Sequence, residues 1–130
     1  MPISYDIDQQ RGVIFVTFSG RVTVQEFAAQ RAAVLSDPRY HEALHRLTDV
    51  RDLAELPATE QLREFARVAA TAQREEPPGV RRGLVVGSPV TYGVARQYQA
   101  FLSSAGFEVD ILAGDAEAEL WLAGLPTQAG

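Results

Sequence analysis

The run Val13–Phe18 constrains the fold of this chain most, because its residues are apolar on both faces of a strand. A strand at a solvated surface alternates apolar and polar residues, whereas a run like this one needs cover above and below. Leu84–Val86, closed by Gly87, has the same character. The two runs predict central strands of a sheet that is packed on both faces.

Two other segments alternate apolar and polar residues, as strands with one face in solvent do. Ile3–Ile7 has apolar residues at every second position, and Phe107–Ile111 repeats the pattern. Such strands are expected at the margins of the sheet. The turn Gln9–Gly12 joins the first of them to Val13–Phe18, which predicts a hairpin, and Arg46–Val50 is a further strand.

Capping chemistry marks the first helix. Thr23 and Glu26 have the spacing of a capping box, in which each side chain satisfies a backbone amide of the first turn. Pro38 cannot continue a helix, so this one ends near Leu35. The residues expected on its buried face are Phe27, Ala28, Val34 and Leu35.

Three more helices follow the later strands. Thr59 is the expected N-cap of the second, whose apolar residues are spaced by three and four from Leu62 onward. Ser88 begins the third, which stops at Gly106, and Asp115 caps the last. The third helix is expected to bury Val94, Tyr98, Phe101 and Leu102.

The resulting order, ββαβαβαβα, predicts an α/β fold. Strands that alternate with helices imply right-handed crossovers and a mostly parallel sheet, here five-stranded with an N-terminal β-hairpin and flanking helices. A chain of 130 residues buries enough surface for one core. We expect a single domain over residues 1–124 and a C-terminal tail over residues 125–130.

Composition excludes several classes of function. The chain has no Cys and no Lys, which removes thiolate nucleophiles, cysteine metal sites and Schiff-base chemistry. Its net charge of -5 and the lack of a basic cluster argue against nucleic acid as a partner. The acids around Leu120–Leu122 give membrane contact no support. With no signal-peptide pattern at the N-terminus, the expected location is cytoplasmic.

The segment His41–His45 matches the pattern H-E-x-x-H of zinc hydrolases. There, two histidines one helical turn apart hold zinc and the glutamate activates water. A third ligand would have to come from Glu60 or Glu64, because the chain has no other histidine. The alternative is a surface connector on which His41, Glu42 and His45 fall in this order without binding metal.

The carboxyl ends of the predicted parallel strands form a second candidate site. Asp49, Arg51, Gly87, Ser88 and Tyr92 all belong to this edge. Free amides at helix starts bind anions there, and Arg51 has the fork geometry for a phosphate or a carboxylate. The alternative is structural, with Asp49 and Arg51 as a local ion pair and Ser88 as a helix cap.

Four segments of the chain resemble the SpoIIAA-like family of the STAS superfamily, relatives of anti-sigma-factor antagonists. They cover Phe18–Thr23, Ser36–Tyr40, Leu47–Asp52 and Ala116–Leu122. The resemblance implies a non-enzymatic α/β domain without a cofactor, which binds a small ligand or a partner protein and is related to lipid-binding CRAL-TRIO folds.

The switched antagonists of that superfamily carry a phosphorylatable serine after the third strand. Between Val50 and Leu62 this chain has only one hydroxyl, that of Thr59. A phosphate on Thr59 would be favoured by the helix dipole. We therefore expect a binding or regulatory domain for a small apolar or anionic ligand, with a Thr59-switched interaction module and a zinc hydrolase as alternatives. Exposed edge strands make a homodimer a further expectation.

Overall fold

The computed structural model describes residues 2–72 and 77–126 of the chain. Within them the order of elements is ββαβαβαβα. The strands and helices are β1 Ile3–Asp8, β2 Val13–Gly20, α1 Val24–Ser36, β3 His45–Leu53, α2 Thr59–Ala72, β4 Arg82–Val86, α3 Pro89–Ser104, β5 Asp110–Ala113 and α4 Gly114–Ala123. Residues 127–130 of the expected tail lie outside the described residues.

The five strands form one sheet in the order β1-β2-β3-β4-β5. β1 pairs antiparallel with β2, and every later pair is parallel. The hairpin turn between β1 and β2 closes at Gly12, whose φ of 69° favours glycine and whose N–H donates to the Asp8 carbonyl at 2.8 Å. The predicted α/β fold, its N-terminal hairpin and the marginal positions of β1 and β5 are confirmed, but β5 begins at Asp110 and not at Phe107 as predicted.

The strand order decides where the helices lie. From β2 to β5 each strand pairs with the next one along the chain, so every crossover moves to the neighbouring strand in the same direction. Right-handed connections then put α1, α2 and α3 on one face of the sheet. The main core lies between that face and these helices and contains Phe27, Phe65 and Ala95. Phe27 makes edge-to-face contacts with Phe18 and Phe65, at centroid distances of 5.8 and 5.2 Å.

The opposite face of the sheet is covered by α4. Trp121 and Ala118 pack on a smaller cluster made by Val13, Leu47, Val85 and Leu112. The Trp121 indole Nε1 donates to Asp110 Oδ2 at 2.8 Å, which fixes the helix to the edge strand. Leu120, between the buried positions, is exposed.

Two predicted caps are confirmed and two are wrong. Thr23 caps α1 in a complete capping box, and Ser88 caps α3. In α2 the first helical hydrogen bond runs from Leu62 N–H to the Ala58 carbonyl, so Thr59 is the first helical residue and not the cap. α4 begins at Gly114, one residue before Asp115, so Asp115 is not its cap.

The prediction for the buried face of α1 is wrong in part. Gln30 and Arg31 are buried beside Phe27 and Val34, whereas Ala28 and Leu35 are exposed. The buried residues are spaced by three and four along the helix and so share one face. Ala28 and Leu35 each follow a residue of that face and point away from it. The position along the helix, and not the polarity of the side chain, therefore decides which residues of α1 are buried.

The connector from Asp37 to Leu44 contains turns and no helix. Arg39 donates to both carboxylate oxygens of Asp37, and Tyr5 donates its hydroxyl to Asp37 Oδ2 at 3.0 Å. The hydrogen bonds from Arg39 hold the pKa of Asp37 well below its usual range. The connector is thus fastened to β1 by polar contacts.

The closest backbone approach in the smaller cluster is at Gly83. A Cβ there would lie 3.0 Å from Leu47 Cδ1, 3.1 Å from Leu112 Cδ1 and 3.3 Å from Trp121 Cε2. We therefore expect Gly83→Ala to lower the free energy of unfolding, measured by urea titration, by about 1–3 kcal/mol through overpacking.

Gly93 provides the matched control, because a Cβ at this position in α3 meets nothing within 4 Å. Gly93→Ala should raise the free energy of unfolding by about 0.5–1 kcal/mol, since alanine is the better helix former. Equal effects of the two substitutions would contradict the packing of α4 against Gly83.

Candidate functional site

A cavity of about 100 Å³ lies between the sheet and helices α1, α2 and α3. Its walls come from β2, β3 and β4 on one side and from the three helices on the other. Aromatic and aliphatic side chains dominate the lining, among them Phe18, Phe27, Val50, Leu62, Phe65 and Leu84. A site of this composition suits an apolar molecule.

Small side chains on the helices leave this space open. Ala69 of α2 and Ala95 of α3 are both buried and both line the cavity. A longer side chain at either position would enter the volume between helix and sheet. The cavity therefore depends on alanine at these two helical positions.

One end of the cavity carries positive charge. Arg46 and Arg82 are register partners near the starts of β3 and β4, and both line the cavity together with Arg31 of α1. Arg82 stacks on the Phe107 ring, with its guanidinium carbon 5.1 Å from the ring centroid. We call the part of the cavity lined by Arg31, Arg46, Arg82 and the neighbouring Tyr98 its cationic end.

Tyr98 reaches this end from α3. Burial raises the pKa of its hydroxyl, while the charges of Arg82 and Arg31 act in the opposite direction. With the pKa raised above its usual value near 10, Tyr98 stays protonated at neutral pH. Its hydroxyl can therefore donate a hydrogen bond at neutral pH.

The other end of the cavity lies towards the carboxyl ends of the strands. Half-buried side chains line it there: Val22, Leu53, Leu56, Pro57, Thr91 and Val94. Most of them belong to the loop after β3 and to the first turns of α3.

Two residues of the predicted edge site, Asp49 and Arg51, lie on the opposite face of the sheet from this cavity. Thr48 and Val50 of β3 line the cavity, and successive side chains of a strand point to opposite faces, so Asp49 and Arg51 face α4. Arg51 Nη1 lies 2.9 Å from Asp115 Oδ1 of that helix. The sequence placed Arg51 at the correct edge without deciding its face.

Arg51 is held by two carboxylates. Its Nε and Nη2 donate to Asp49 at 3.0 and 2.8 Å, in addition to the contact with Asp115. Burial acts to raise the pKa of Asp49, but the hydrogen bonds and charge of Arg51 outweigh it and lower the pKa. The Arg51 side chain also occupies the space beside Gly87, where a Cβ would lie 3.2 Å from Arg51 Cγ.

Ser88 and Tyr92 lie beyond Gly87 at the start of α3. The Ser88 hydroxyl accepts a hydrogen bond from the Thr91 amide at 3.1 Å as the helix cap, and Tyr92 is exposed. An incoming anion would have to displace a carboxylate from Arg51. Anion binding by this set of residues stays a prediction.

The H-E-x-x-H segment does not form the helix that a zinc hydrolase needs. His41 and Glu42 are exposed in turns, whereas His45 is fully buried as the first residue of β3. The Nδ1 atom of His45 accepts a hydrogen bond from the Arg81 amide at 2.9 Å. Glu64, the suggested third ligand, is ion-paired with Arg67 on α2. In residues 2–72 and 77–126, no group of three or more His, Cys, Asp or Glu side chains is placed to hold a metal ion.

Thr59 is exposed at the start of α2. Its hydroxyl donates to Gln97 Oε1 at 3.2 Å and so joins α2 to α3. Phosphorylation of Thr59 stays a prediction.

The sequence analysis did not identify the cationic end of the cavity. The sequence contained a sign of this end, because both arginines occupy inward-facing positions of their strands. Arg46 is on the same face of its strand as Thr48 and Val50, and Arg82 is on the same face as Leu84. An arginine at an inward position of a buried strand requires a polar partner. This signal marks a polar site inside an apolar core.

Comparison of the chain with protein-family models, with curated proteins and with solved structures finds no match. The resemblance to the SpoIIAA-like family therefore stays a prediction. None of the helices in the described part of the chain combines the length and apolar composition that crossing a bilayer requires.

The carboxylate contacts of Arg51 predict a pH-dependent contribution to stability. Arg51→Met should lower the free energy of unfolding at pH 7 by about 1 kcal/mol, as for a well-formed surface ion pair. The folded-state pKa of Asp49 is depressed, so its contribution is present above the unfolded pKa of about 4 and is lost as the pH falls below it. Urea titrations at several pH values measure the difference.

Arg21→Met is the matched control, because Arg21 pairs with Glu55 while both side chains are largely exposed. Its effect should be close to zero at every pH. A loss at Arg51→Met that persists undiminished well below pH 4 would contradict the assigned role of Asp49.

Proposed function

We propose that this domain binds a small apolar molecule in the cavity between the sheet and helices α1–α3, and that it acts as a binding or regulatory module without catalysis. The observation that carries the proposal is the cavity itself, which has aromatic walls and a cationic end. Apolar contact provides the affinity in such a site, and a few polar groups fix the orientation.

The chemistry of the lining supports binding over catalysis. Among the described residues that line the cavity, there is no histidine, cysteine, aspartate or glutamate. General acid–base catalysis and activated nucleophiles rely on these side chains. The hydroxyls of Thr48, Thr91 and Tyr98 remain, without a base among the lining residues to activate them.

The volume limits the size of the ligand. An engineered apolar cavity of about 150 Å³ takes up benzene, and this cavity has about 100 Å³. A short chain or a single ring is therefore the most that this volume can hold. A long acyl chain would require α2 and α3 to move away from the sheet, so we do not extend the proposal to lipid transport.

Filling the cavity tests the proposal. Benzene should raise the melting temperature of the unmodified protein, because a ligand that binds only the folded state stabilises it by mass action. Ala95→Leu adds three carbons at the cavity wall and should abolish this rise, as should the smaller filling substitution Ala69→Val. Scanning calorimetry with and without benzene measures the effect.

Ala100→Leu makes the same change on the exposed side of α3 and should keep the full benzene response. Circular dichroism of each variant establishes that it is folded. The proposal would be refuted by a benzene response that is absent from the unmodified protein, or that is as large in the filled variants.

A further inference from the structure

We propose that the ligand of the cavity is a small monocarboxylic acid, whose carboxylate binds Arg46 and Tyr98 while its apolar body lies among the phenylalanines. This inference rests on the proposed function and specifies the chemical class of the ligand. The two parts of such a molecule match the two parts of the cavity, the cationic end and the aromatic walls.

Arg46 is the main anchor of this arrangement. It is half-buried at the start of β3, and its side chain makes no ion pair with any residue in the described ranges. A half-buried guanidinium without an ion-pair partner gains from a charged, hydrogen-bonding one. A carboxylate at this end of the cavity supplies one.

The surroundings of Arg46 add to the positive potential. Arg82 is its register partner on β4, and Arg31 approaches from α1. Both of these arginines make interactions of their own, so the proposal does not require the ligand to neutralise them. Their charges still favour an anion over a neutral molecule at this end.

Tyr98 supplies a second donor. Its hydroxyl is protonated at neutral pH, and the charges of Arg82 and Arg31 act on it. A carboxylate has two oxygens and accepts from a guanidinium and a hydroxyl together. No acidic side chain is among the described residues that line the cavity.

Size limits the apolar body of the ligand to a single ring. The volume of about 100 Å³ is smaller than the cavity of about 150 Å³ that takes up benzene, so a ring leaves no space inside for a second group. The carboxylate of benzoic acid therefore has to lie at the half-buried side chain of Arg46. A planar carboxylate matches the planar fork of arginine better than a tetrahedral phosphate ester does.

The test compares benzoate with its neutral relative benzyl alcohol by isothermal titration calorimetry. The unmodified protein should bind benzoate more tightly than benzyl alcohol. Arg46→Met should weaken benzoate binding by about tenfold or more, the usual effect of losing a hydrogen bond to a charged group. It should leave benzyl alcohol binding unchanged, because methionine keeps the apolar wall.

Arg96→Met is the matched control. Arg96 is exposed on α3 and does not line the cavity, so this substitution removes the same charge without changing the site. Tyr98→Phe is the second variant of the site and should weaken benzoate binding by several-fold. It keeps the experiment decisive if Arg46→Met does not fold.

The possible outcomes separate this inference from the proposed function. If benzene and benzyl alcohol bind while benzoate binds no tighter, or if Arg46→Met and Tyr98→Phe leave benzoate binding unchanged, the inference is overturned and the proposed function stands. If Arg96→Met weakens benzoate binding as much as Arg46→Met, the effect is one of net charge and the inference is again overturned. If none of the three compounds binds, the proposed function fails as well.

Discussion

The order of strands in the sheet is the constraint on which the rest of this structure depends. Because β2 to β5 follow one another across the sheet, right-handed crossovers put α1, α2 and α3 on the same face. The opposite face has only α4, whose Trp121 packs on a smaller cluster. The sheet therefore separates two environments: a thick helical layer on one side and a single helix with a surface ion-pair network on the other.

The candidate site follows from this asymmetry. Three helices on one face meet the sheet along a broad interface, and alanines at positions 69 and 95 leave part of it unfilled. Arg46 and Arg82 enter the same interface from the strands, which gives an apolar cavity one charged end. On the other face, Arg51 forms ion pairs with Asp49 and Asp115.

Local chemistry made much of the fold predictable. The capping box at Thr23 and the cap at Ser88 act within a few residues, and the structure confirms both. The face to which a strand residue points could not be predicted, because β2 and β4 are apolar on both faces and give no sign of which one the three helices cover. Arg46 and Arg51 lie five residues apart on one strand and so point to opposite faces, but only the packing of the helices shows which of them faces the cavity. The position of His45 could not be predicted from local sequence either. The pattern H-E-x-x-H predicts a helix there, whereas pairing with β2 places His45 at the start of β3.

The central claim is that the sheet and helices α1–α3 enclose space for a guest molecule. The most direct measurement is a crystal structure of the protein under xenon pressure, since xenon occupies apolar cavities without needing a specific contact. The account predicts xenon between Phe18, Phe65 and Leu84, with the surrounding side chains in place. A structure in which α2 and α3 close on the sheet and no xenon enters would contradict it.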